Sequence, residues 1–454
     1  MKSRDYSARL SRASISGYRR FGGVRYTAWE SVLLVYNLLL AVGSVLLLPY
    51  FLWKGLRTGK YRSSFSERWS GPPQTLNAEA RSSVWIHAVS VGEALTARTL
   101  LAPLRQALPE LRFFVSTTTL TGNAVAQKSL PGIDGLFFAP FDLPGSVRAA
   151  LERVRPRLLV IMETEIWPNL IHEAHSRGVK IAIANGRISP RSYPRYRWIR
   201  SWLRPVLGEI DLFLMQGESH RRRILELGAP RERVSVPGNL KYDAVRDAEA
   251  SGEAAAIVAS RPERPLLIAG STAPGEEPLV FRALVQVRAS AGDVGLVIAP
   301  RHPERFDEVE ALAKSAGLRC ARRSRLEAGG WREEEVLLLD TIGELASIYA
   351  LGRVVFVGGS LVPFGGHNIL EAAAAGRAVV VGPHMENFQE IADEFEAARA
   401  LVRVRSAGEL AEATLSLLAD ASRRDDLGAR GREILLRNRG AAGRSAAALA
   451  ALVP

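Results

Sequence analysis

The chain contains a single cysteine, Cys320, among its 454 residues. One cysteine excludes an intramolecular disulfide framework, and the lack of any cysteine cluster argues against structural zinc. The seven histidines show no spacing with aspartate that is typical of a metal site. We therefore expect a protein of a reducing compartment that is stabilised by a hydrophobic core, with no metal in its functional site.

Internal repeats and low-complexity tracts are also absent from the sequence. Hydrophobic residues make up 47% of the chain and charged residues 24%, which suffices for two globular domains. Negative charge is the scarcer sign, because 47 Asp and Glu face 60 Lys and Arg and leave a formal net charge of +13. That excess indicates an anionic partner, and nucleic acid, an acidic membrane and a phosphorylated substrate are all compatible with it.

Long hydrophobic runs are rare, with one exception near the N-terminus. An apolar stretch lies between Trp29 and Trp53, with aromatic residues at its ends and basic residues on both flanks, and its length is roughly the 20 residues that enter or span a bilayer. Since the positive-inside rule requires asymmetry, a monotopic anchor on an anionic leaflet fits at least as well as a span. The alternative is a buried helix of a soluble domain. We predict a basic leader and membrane anchor over residues 1–60.

After this segment, short apolar runs alternate with segments of helical periodicity. This alternation is typical of a doubly wound α/β sheet. A stretch rich in Ala, Glu, Ser and Arg follows Asp243 and separates two sets of such runs. We therefore expect two Rossmann-like domains, residues 61–243 and 244–454, facing a cleft.

Polar and glycine-rich segments follow the apolar runs, at the strand ends where open α/β sheets bind ligands. The longest begins at Gly358 and reads GGSLVPFGGHNILEAAAAGRAVVVGP. In it, Gly365 and Gly366 lead through Asn368 into a predicted helix, whose first N–H groups would suit a phosphate. The other segments, in chain order, read HAVSVGE, TTTLTG, METEIWPN, GNLKYD, APRHPERF and DTIGEL.

Together these segments resemble, over nearly the whole chain, the 3-deoxy-D-manno-octulosonic acid (Kdo) transferases of lipopolysaccharide synthesis, glycosyltransferase family 30. The resemblance implies a GT-B fold and transfer of Kdo from CMP-Kdo to lipid IVA, with inversion at the anomeric carbon and no metal or cofactor. It also implies an enzyme of the inner membrane, with its catalytic domains on the cytoplasmic face and against the anionic leaflet. The first domain would bind the acceptor, and the second would bind the CMP-sugar.

The resemblance assigns chemical roles to three residues of the first domain. Glu93, on the Ser-Val-Gly-Glu turn, is the candidate general base that takes a proton from the acceptor hydroxyl. The alternative for this carboxylate is stabilisation of a helix N-terminus. Glu163 and Lys241 match positions that stabilise the transition state in the family, and the alternative for each is an ordinary loop salt bridge.

The expected donor-binding residues fall in the second domain. Arg301, after Pro300, would pair with the phosphate, and Glu371 would accept the ribose hydroxyls. The helix start at Asn368 would add N–H groups to the same charge in place of a divalent ion. The remaining contacts expected near the nucleotide are Ile342, Gly343, Glu344, Ile369 and Leu370.

Three other functions fit parts of the sequence. A GT-B enzyme that uses a UDP-sugar would share the glycine-rich loop, but we do not expect it to carry SVGE and ETEIWPN together. A non-catalytic protein of the membrane surface would explain only the charge and the anchor. A nucleic-acid binder would explain the arginines and aromatic residues between Arg191 and Arg204, but that segment fits lipid phosphate better. We therefore expect no nucleic-acid partner.

Overall fold

The structure of the chain is a computed structural model. It describes residues 19–21, 24–26, 29, 32–44, 46, 62–245, 250–260, 263–326, 331 and 336–453. Contacts between Cα atoms divide the chain into two compact units. The first unit contains Met1–Asp243 and Gly440–Pro454, and the second contains Ala244–Arg439.

The first unit is built on a seven-stranded parallel sheet, preceded by a short antiparallel hairpin of β1 (Arg19–Phe21) and β2 (Val24–Tyr26). The strands of the sheet are β3 (Ser83–His87), β4 (Arg112–Thr117), β5 (Gly135–Phe138), β6 (Pro156–Met162), β7 (Lys180–Gly186), β8 (Leu212–Met215) and β9 (Val234–Ser235). Their order is β5-β4-β3-β6-β7-β8-β9. The central strands are almost wholly buried, as expected for a parallel sheet that helices cover on both faces.

Helices cover both faces of this sheet. They are α1 (residues 32–44), α2 (Arg62–Ser70), α3 (Val91–Ala107), α4 (Leu120–Ser129), α5 (Pro144–Val154), α6 (Pro168–Ser176), α7 (Tyr193–Trp198), α8 (Arg200–Gly208) and α9 (Glu218–Leu227). Alternate residues of β3 belong to different cores, since Trp85 lies in one buried cluster and Val84 and Ile86 in another. The two-residue period of a strand explains this division.

The second unit repeats the architecture with its own seven-stranded parallel sheet. Its strands are β10 (Leu266–Thr272), β11 (Gly295–Pro300), β12 (Cys320–Arg322), β13 (Val336–Leu338), β14 (Val354–Val357), β15 (Ala378–Val381) and β16 (Leu401–Arg403), in the order β12-β13-β11-β10-β14-β15-β16. Its helices are α10 (Glu253–Ala259), α11 (Glu277–Ala291), α12 (Phe306–Ser315), α13 (Leu345–Tyr349), α14 (Leu370–Ala374), α15 (Gln389–Ala397), α16 (Ala407–Ala419) and α17 (Ala421–Asn438). The two Rossmann-like sheets expected from the sequence are thus confirmed.

The C-terminal helix, α18 (Ala441–Ala450), corrects the expected boundary of the second domain. It packs against α3 of the first unit, and its buried side is formed by small residues and Leu449. The carboxylate of Asp243 accepts hydrogen bonds from the backbone N–H groups of Gly440 and Ala442, both at 2.6 Å. The second domain therefore ends at Arg439, and the sequence-based range 244–454 was too long.

Helix α1 packs on the first unit with one side and exposes the other. The hydroxyl of Tyr36 donates a hydrogen bond to Oδ2 of Asp142 at 2.8 Å, and the side-chain amides of Asn37 and Asn169 form a pair. Its exposed apolar residues are Leu34, Leu38, Leu39 and Val42. In the part of the chain that the structure describes, no helix is long and apolar enough to cross a membrane. The basic leader through residue 18 and the end of the expected anchor, residues 47–60, lie outside the described residues.

Candidate active site

The candidate catalytic residues of the first unit follow neighbouring strands of one sheet. β6 lies between β3 and β7, so the segments after these three strands begin at the same edge. Glu93 follows β3, Glu163 follows β6, and Asn185 lies at the end of β7. The topology therefore gathers the segments of Glu93 and Glu163, which the sequence analysis selected, beside the end of β7.

Glu93 lies in the first turn of α3 and is only 6% exposed. Its Oε2 accepts a hydrogen bond from the backbone N–H of Val89 at 2.8 Å, and its Oε1 accepts one from the hydroxyl of Ser90 at 2.9 Å. The Ser90 hydroxyl oxygen in turn accepts from the N–H of Glu93 at 3.3 Å. This reciprocal arrangement is a variant of the capping box, in which the carboxylate accepts the N–H of Val89 instead of that of the N-cap residue Ser90. Stabilisation of the helix start, the alternative role for this carboxylate, is therefore present alongside any chemical role.

The electrostatic surroundings of Glu93 raise its pKa to about 7. Burial is the largest cause, because it penalises the charged form, and the negative charge of Glu163 raises the pKa further. The hydrogen bond from Val89 opposes these effects. A carboxylate with a pKa near neutrality is suited to accept a proton from a substrate at cellular pH.

Glu163 adopts a left-handed backbone conformation, with a φ of 55°. Its N–H donates to the carbonyl oxygen of Ala184 on β7 at 2.9 Å, which fixes the turn against the neighbouring strand. Non-glycine residues rarely adopt this conformation, and such strain is concentrated at functional sites. The turn brings the carboxylate of Glu163 close enough to Glu93 to raise its pKa.

Lys241 lies on a loop that Asn185 attaches to the end of β7. Oδ1 of the buried Asn185 accepts a hydrogen bond from the N–H of Leu240 at 3.0 Å, and Asn185 itself has a left-handed φ of 57°. The N–H of Lys241 donates to Oδ1 of Asn239 at 3.0 Å. The sequence analysis did not assign a role to Asn185. An Asn-Gly pair at a strand end is the signal that could have identified it.

The donor-site candidates of the second unit lie at the carboxyl edge of its sheet. Arg301 follows β11, the segment Ile342–Glu344 follows β13, and the segment Asn368–Glu371 follows β14. In the sheet, β11 neighbours β13 on one side and β10 on the other, and β14 lies beside β10. The three segments therefore begin along one continuous edge.

Arg301 interacts electrostatically with Glu371 and with His367. Burial raises the pKa of Glu371, and the guanidinium of Arg301 opposes that rise. Burial, with smaller contributions from the charges of Arg301 and His302, lowers the pKa of His367 to about 4. His367 is therefore neutral near pH 7, so the positive charge beside Glu371 belongs to Arg301.

The helix that follows Asn368 is short. α14 has five residues, and Oδ1 of Asn368 accepts a hydrogen bond from the N–H of Leu370 at 3.1 Å. This N–H is therefore already engaged, and Ile369 occupies the position that caps the helix. Gly366 reaches the turn through a left-handed φ of 74°, where a Cβ atom would lie 2.5 Å from the sulfur of Met385. Only glycine suits this position.

The segment after β13 presents its backbone at the surface. Ile342 is 83% exposed, and Gly343 has a left-handed φ of 93°. The carboxylate of Glu344 accepts hydrogen bonds from the guanidinium of Arg323, at 3.1 Å, and from the hydroxyl of Thr341. The side chain of Glu344 thus holds the turn, whereas Pro300 is the last residue of β11 and directs the chain to Arg301.

No three His, Cys, Asp or Glu side chains come together as a metal-binding group among the residues that the structure describes. His87 is fully buried, and burial lowers its pKa to about 3. Its Nδ1 lies 2.9 Å from Oγ of Ser116. Its ring contacts that of Trp167 edge to face, with 4.6 Å between the ring centroids. It is a neutral structural histidine beside the loop that carries Glu163.

Comparison with known proteins gives consistent matches. The family model of 3-deoxy-D-manno-octulosonic-acid transferase (kdotransferase) matches residues 63–244. The chain is 34% identical over 415 residues to the 3-deoxy-D-manno-octulosonic acid transferase of Haemophilus influenzae, covering 89% of this chain and 95% of that protein. It is 37% identical over 350 residues to the Bordetella pertussis protein of the same name, covering 75% of this chain and 80% of that protein.

A solved structure also has this architecture. HepE of Anabaena in complex with UDP aligns with a TM-score of 0.54 over 81% of this chain and 98% of that chain, at 14% sequence identity. Identity at this level supports the fold alone, and the expected GT-B class is thereby confirmed. The family follows instead from the two relatives above 30% identity, which this chain matches over most of their lengths. The chain therefore belongs to the 3-deoxy-D-manno-octulosonic acid transferases, and it is a glycosyltransferase that transfers Kdo in lipopolysaccharide biosynthesis.

Proposed function

We propose that the chain transfers Kdo from CMP-Kdo to lipid IVA, with inversion at the anomeric carbon and without a metal ion. The observation that carries this proposal is the grouping of Arg301 with the half-buried carboxylate of Glu371 at one sheet edge. A guanidinium can pair with the single phosphate of a CMP-sugar, and a carboxylate can accept both ribose hydroxyls. The backbone of Ile342–Glu344 and of Ile369–Leu370 would contact the rest of the nucleotide.

In the proposed reaction, the acceptor hydroxyl attacks the anomeric carbon on the side opposite the leaving CMP. A new carbon–oxygen bond forms as the bond to the phosphate breaks, and the electron pair leaves with CMP. Glu93 takes the proton of the attacking hydroxyl. Arg301 stabilises the charge that develops on the phosphate, and Lys241 and Glu163 stabilise charge at the reacting sugar.

Membrane association is part of the proposal, and exposed apolar residues support it. Leu38 and Leu39 of α1 are 60% and 62% exposed, and Trp198 at the end of α7 is 87% exposed. Five arginines share the segment that includes Trp198: Arg191, Arg195, Arg197, Arg200 and Arg204. Apolar and aromatic side chains with neighbouring basic residues suit the interface of an anionic leaflet. We place the enzyme on the cytoplasmic face of the inner membrane.

Isothermal calorimetry with CMP tests the donor site. Replacing Arg301 or Glu371 by Ala removes charge-assisted hydrogen bonds of roughly 1.5–3 kcal/mol each, so CMP affinity should fall about tenfold or more. Arg282→Ala is the matched control, because Arg282 is exposed on α11 of the same unit. Unchanged CMP affinity in both site variants would show that the donor site is elsewhere.

The substrates are tested by the product and by nucleotide selectivity. Incubation with CMP-Kdo and lipid IVA should yield a product whose mass increases by whole Kdo residues. CMP should raise the melting temperature, whereas UDP and an oligonucleotide should not. A rise with UDP alone, and no product from CMP-Kdo, would favour a UDP-sugar as the donor.

A further inference from the structure

Two adjacent carboxylates, Glu276 and Glu277, are completely buried at the start of α11, directly after β10. The proposed reaction uses neither of them. A buried carboxylate is costly unless hydrogen bonds or an ion pair compensate it. The partners of each side chain therefore indicate what the pair does.

Glu276 is held by four backbone N–H groups. Its Oε1 accepts from Ser360 at 2.8 Å and from Leu361 at 2.7 Å. Its Oε2 accepts from Gly359 at 2.6 Å and from Ala273 at 2.9 Å. Three of these donors are consecutive residues after β14, an arrangement of N–H groups that binds anions. In this protein an internal carboxylate fills that position and attaches the segment after β14 to the end of β10.

The close approach of the segment after β14 to the end of β10 depends on a glycine. A Cβ atom on Gly358 would lie 2.6 Å from the carbonyl oxygen of Ser271 and 2.9 Å from Oε2 of Glu276. Any larger residue would push the segment after β14 away from the end of β10. Gly358 thus permits the close contact between this segment and the carboxylate of Glu276.

Glu277 holds a different segment through an ion pair with Arg305. Nη1 of Arg305 donates to Oε1 at 2.6 Å, and Nη2 donates to Oε2 at 3.1 Å. The hydroxyl of Thr272 donates to Oε1 at 3.0 Å. Arg305 lies in the segment that begins at Arg301, whose N–H donates to the carbonyl oxygen of Thr272 at 3.0 Å. Glu277 therefore attaches the segment after β11 to the end of β10.

The two attached segments are those that carry the proposed donor ligands. One runs from Gly359 to Glu371, and the other from Arg301 to Arg305. We propose that Glu276 and Glu277 are positioning residues of the donor site, which set the separation between Arg301 and Glu371 by fixing both segments to one point. This inference rests on the proposed donor site in the second unit.

Glu276→Gln is the sharpest test, because it keeps the shape and changes what the side chain can accept. The amide oxygen can still accept two N–H groups, whereas the amide nitrogen would face two further donors. We expect the segment after β14 to shift and the dissociation constant of CMP to rise about tenfold or more. Glu412→Gln is the control, since Glu412 is exposed on α16.

Calorimetry separates positioning from simple destabilisation. If Glu276 only stabilised the fold, the variant would melt at a lower temperature and a smaller fraction would bind, but the folded fraction would keep the wild-type dissociation constant. If Glu276 positions the donor site, the dissociation constant of CMP should be larger than in the wild type, with a stoichiometry near one CMP per protein. The positioning role also predicts that Glu276→Gln weakens CMP binding less in a Glu371→Ala background than in the wild type, because both substitutions act on the same contact. A wild-type constant in folded Glu276→Gln would overturn the assignment of Glu276.

Arg305→Lys provides a second variant that keeps the charge and loses the paired geometry. It should also weaken CMP binding, by about threefold or more, and a folded variant with the wild-type constant would overturn the assignment of Glu277. If Glu276→Gln did not fold, Arg305→Lys would decide the proposal. The underlying donor site is checked separately, because its failure would appear as normal CMP binding in Arg301→Ala and Glu371→Ala.

Discussion

The pH dependence of Kdo transfer offers a direct test of Glu93 as the base. Burial, together with the negative charges of Glu163 and Glu165, raises the pKa of Glu93 from its ordinary 4.5 to about 7. A general base must be deprotonated in order to act, so kcat/KM should increase with pH, with an apparent pKa near 7, and level off above it. The slope below the inflection should correspond to a single proton.

Glu163→Gln perturbs this profile in a predictable direction. The negative charge of Glu163 contributes to the raised pKa of Glu93, but burial contributes more. Removing that charge should therefore lower the pKa by part of the total rise, on the order of one unit or less. The acid limb of the kcat/KM profile should move to lower pH even if the variant turns over more slowly. The apparent pKa of the limb does not depend on the plateau value of kcat/KM.

The same raised pKa has a consequence for stability. Between pH 4.5 and 7 the folded protein binds the Glu93 proton more tightly than the unfolded chain does, so this contribution to stability is present below pH 4.5 and is lost as the pH rises through 7. A rise from 4.5 to about 7 corresponds to roughly 3 kcal/mol. Glu93→Gln should therefore show a smaller decline in the free energy of unfolding over this range.

The assay is turnover of CMP-Kdo with a detergent-dispersed acceptor from pH 5.5 to 9, under conditions in which all variants remain folded. Glu110→Gln is the control, because Glu110 is exposed just beyond α3. An acid limb that stayed in place in Glu163→Gln, or moved to higher pH, would refute the electrostatic link between the two carboxylates. A flat wild-type profile would remove Glu93 from the role of base.

Three further predictions concern the chemistry and the first helix. Glu93→Gln should lower turnover by roughly 10²–10⁴ without weakening CMP binding, and near-normal turnover would make Glu163 the base to test. EDTA should leave activity intact, because the proposed reaction uses Arg301 in place of a metal, and loss of activity with rescue by magnesium would contradict this. Tyr36→Phe should loosen α1 by removing its hydrogen bond to Asp142, so limited proteolysis should cleave the N-terminal segment faster and membrane recovery should fall. Tyr18→Phe, in the basic leader, is the control. Equal cleavage of the two variants would show that the contact is not formed.

Much of the fold could be predicted because parallel strands are buried on both faces and read as continuous apolar runs. The residues Val354–Val357 and Ala378–Val381 are examples, and both segments are fully buried strands. The site could be anticipated for a related reason. Polar residues that follow such runs lie at the carboxyl edge of a sheet, where α/β proteins bind ligands, and this places Arg301 and Glu371 on one edge.

The sequence could not predict features that depend on contacts across the fold. An alanine-rich helix such as α18 carries no signal that names its partner, so its return to the first unit was missed. The left-handed backbone of Glu163 is also invisible in the sequence, because glutamate rarely adopts this conformation. Glu276 is one of many polar residues that follow a strand, and only the structure shows the backbone donors that surround it.

Glu93 and Glu276 show how the number of donors separates two similar carboxylates. Both are buried at a helix start after a parallel strand, and burial raises the pKa of each. Glu276 accepts four backbone N–H groups, so both of its oxygens are committed to holding the chain. Glu93 accepts one backbone N–H and one hydroxyl, which leaves each oxygen able to accept another proton. The same local pattern therefore leaves the carboxylate of Glu93 free for the proposed role of base, and it makes Glu276 a structural anion.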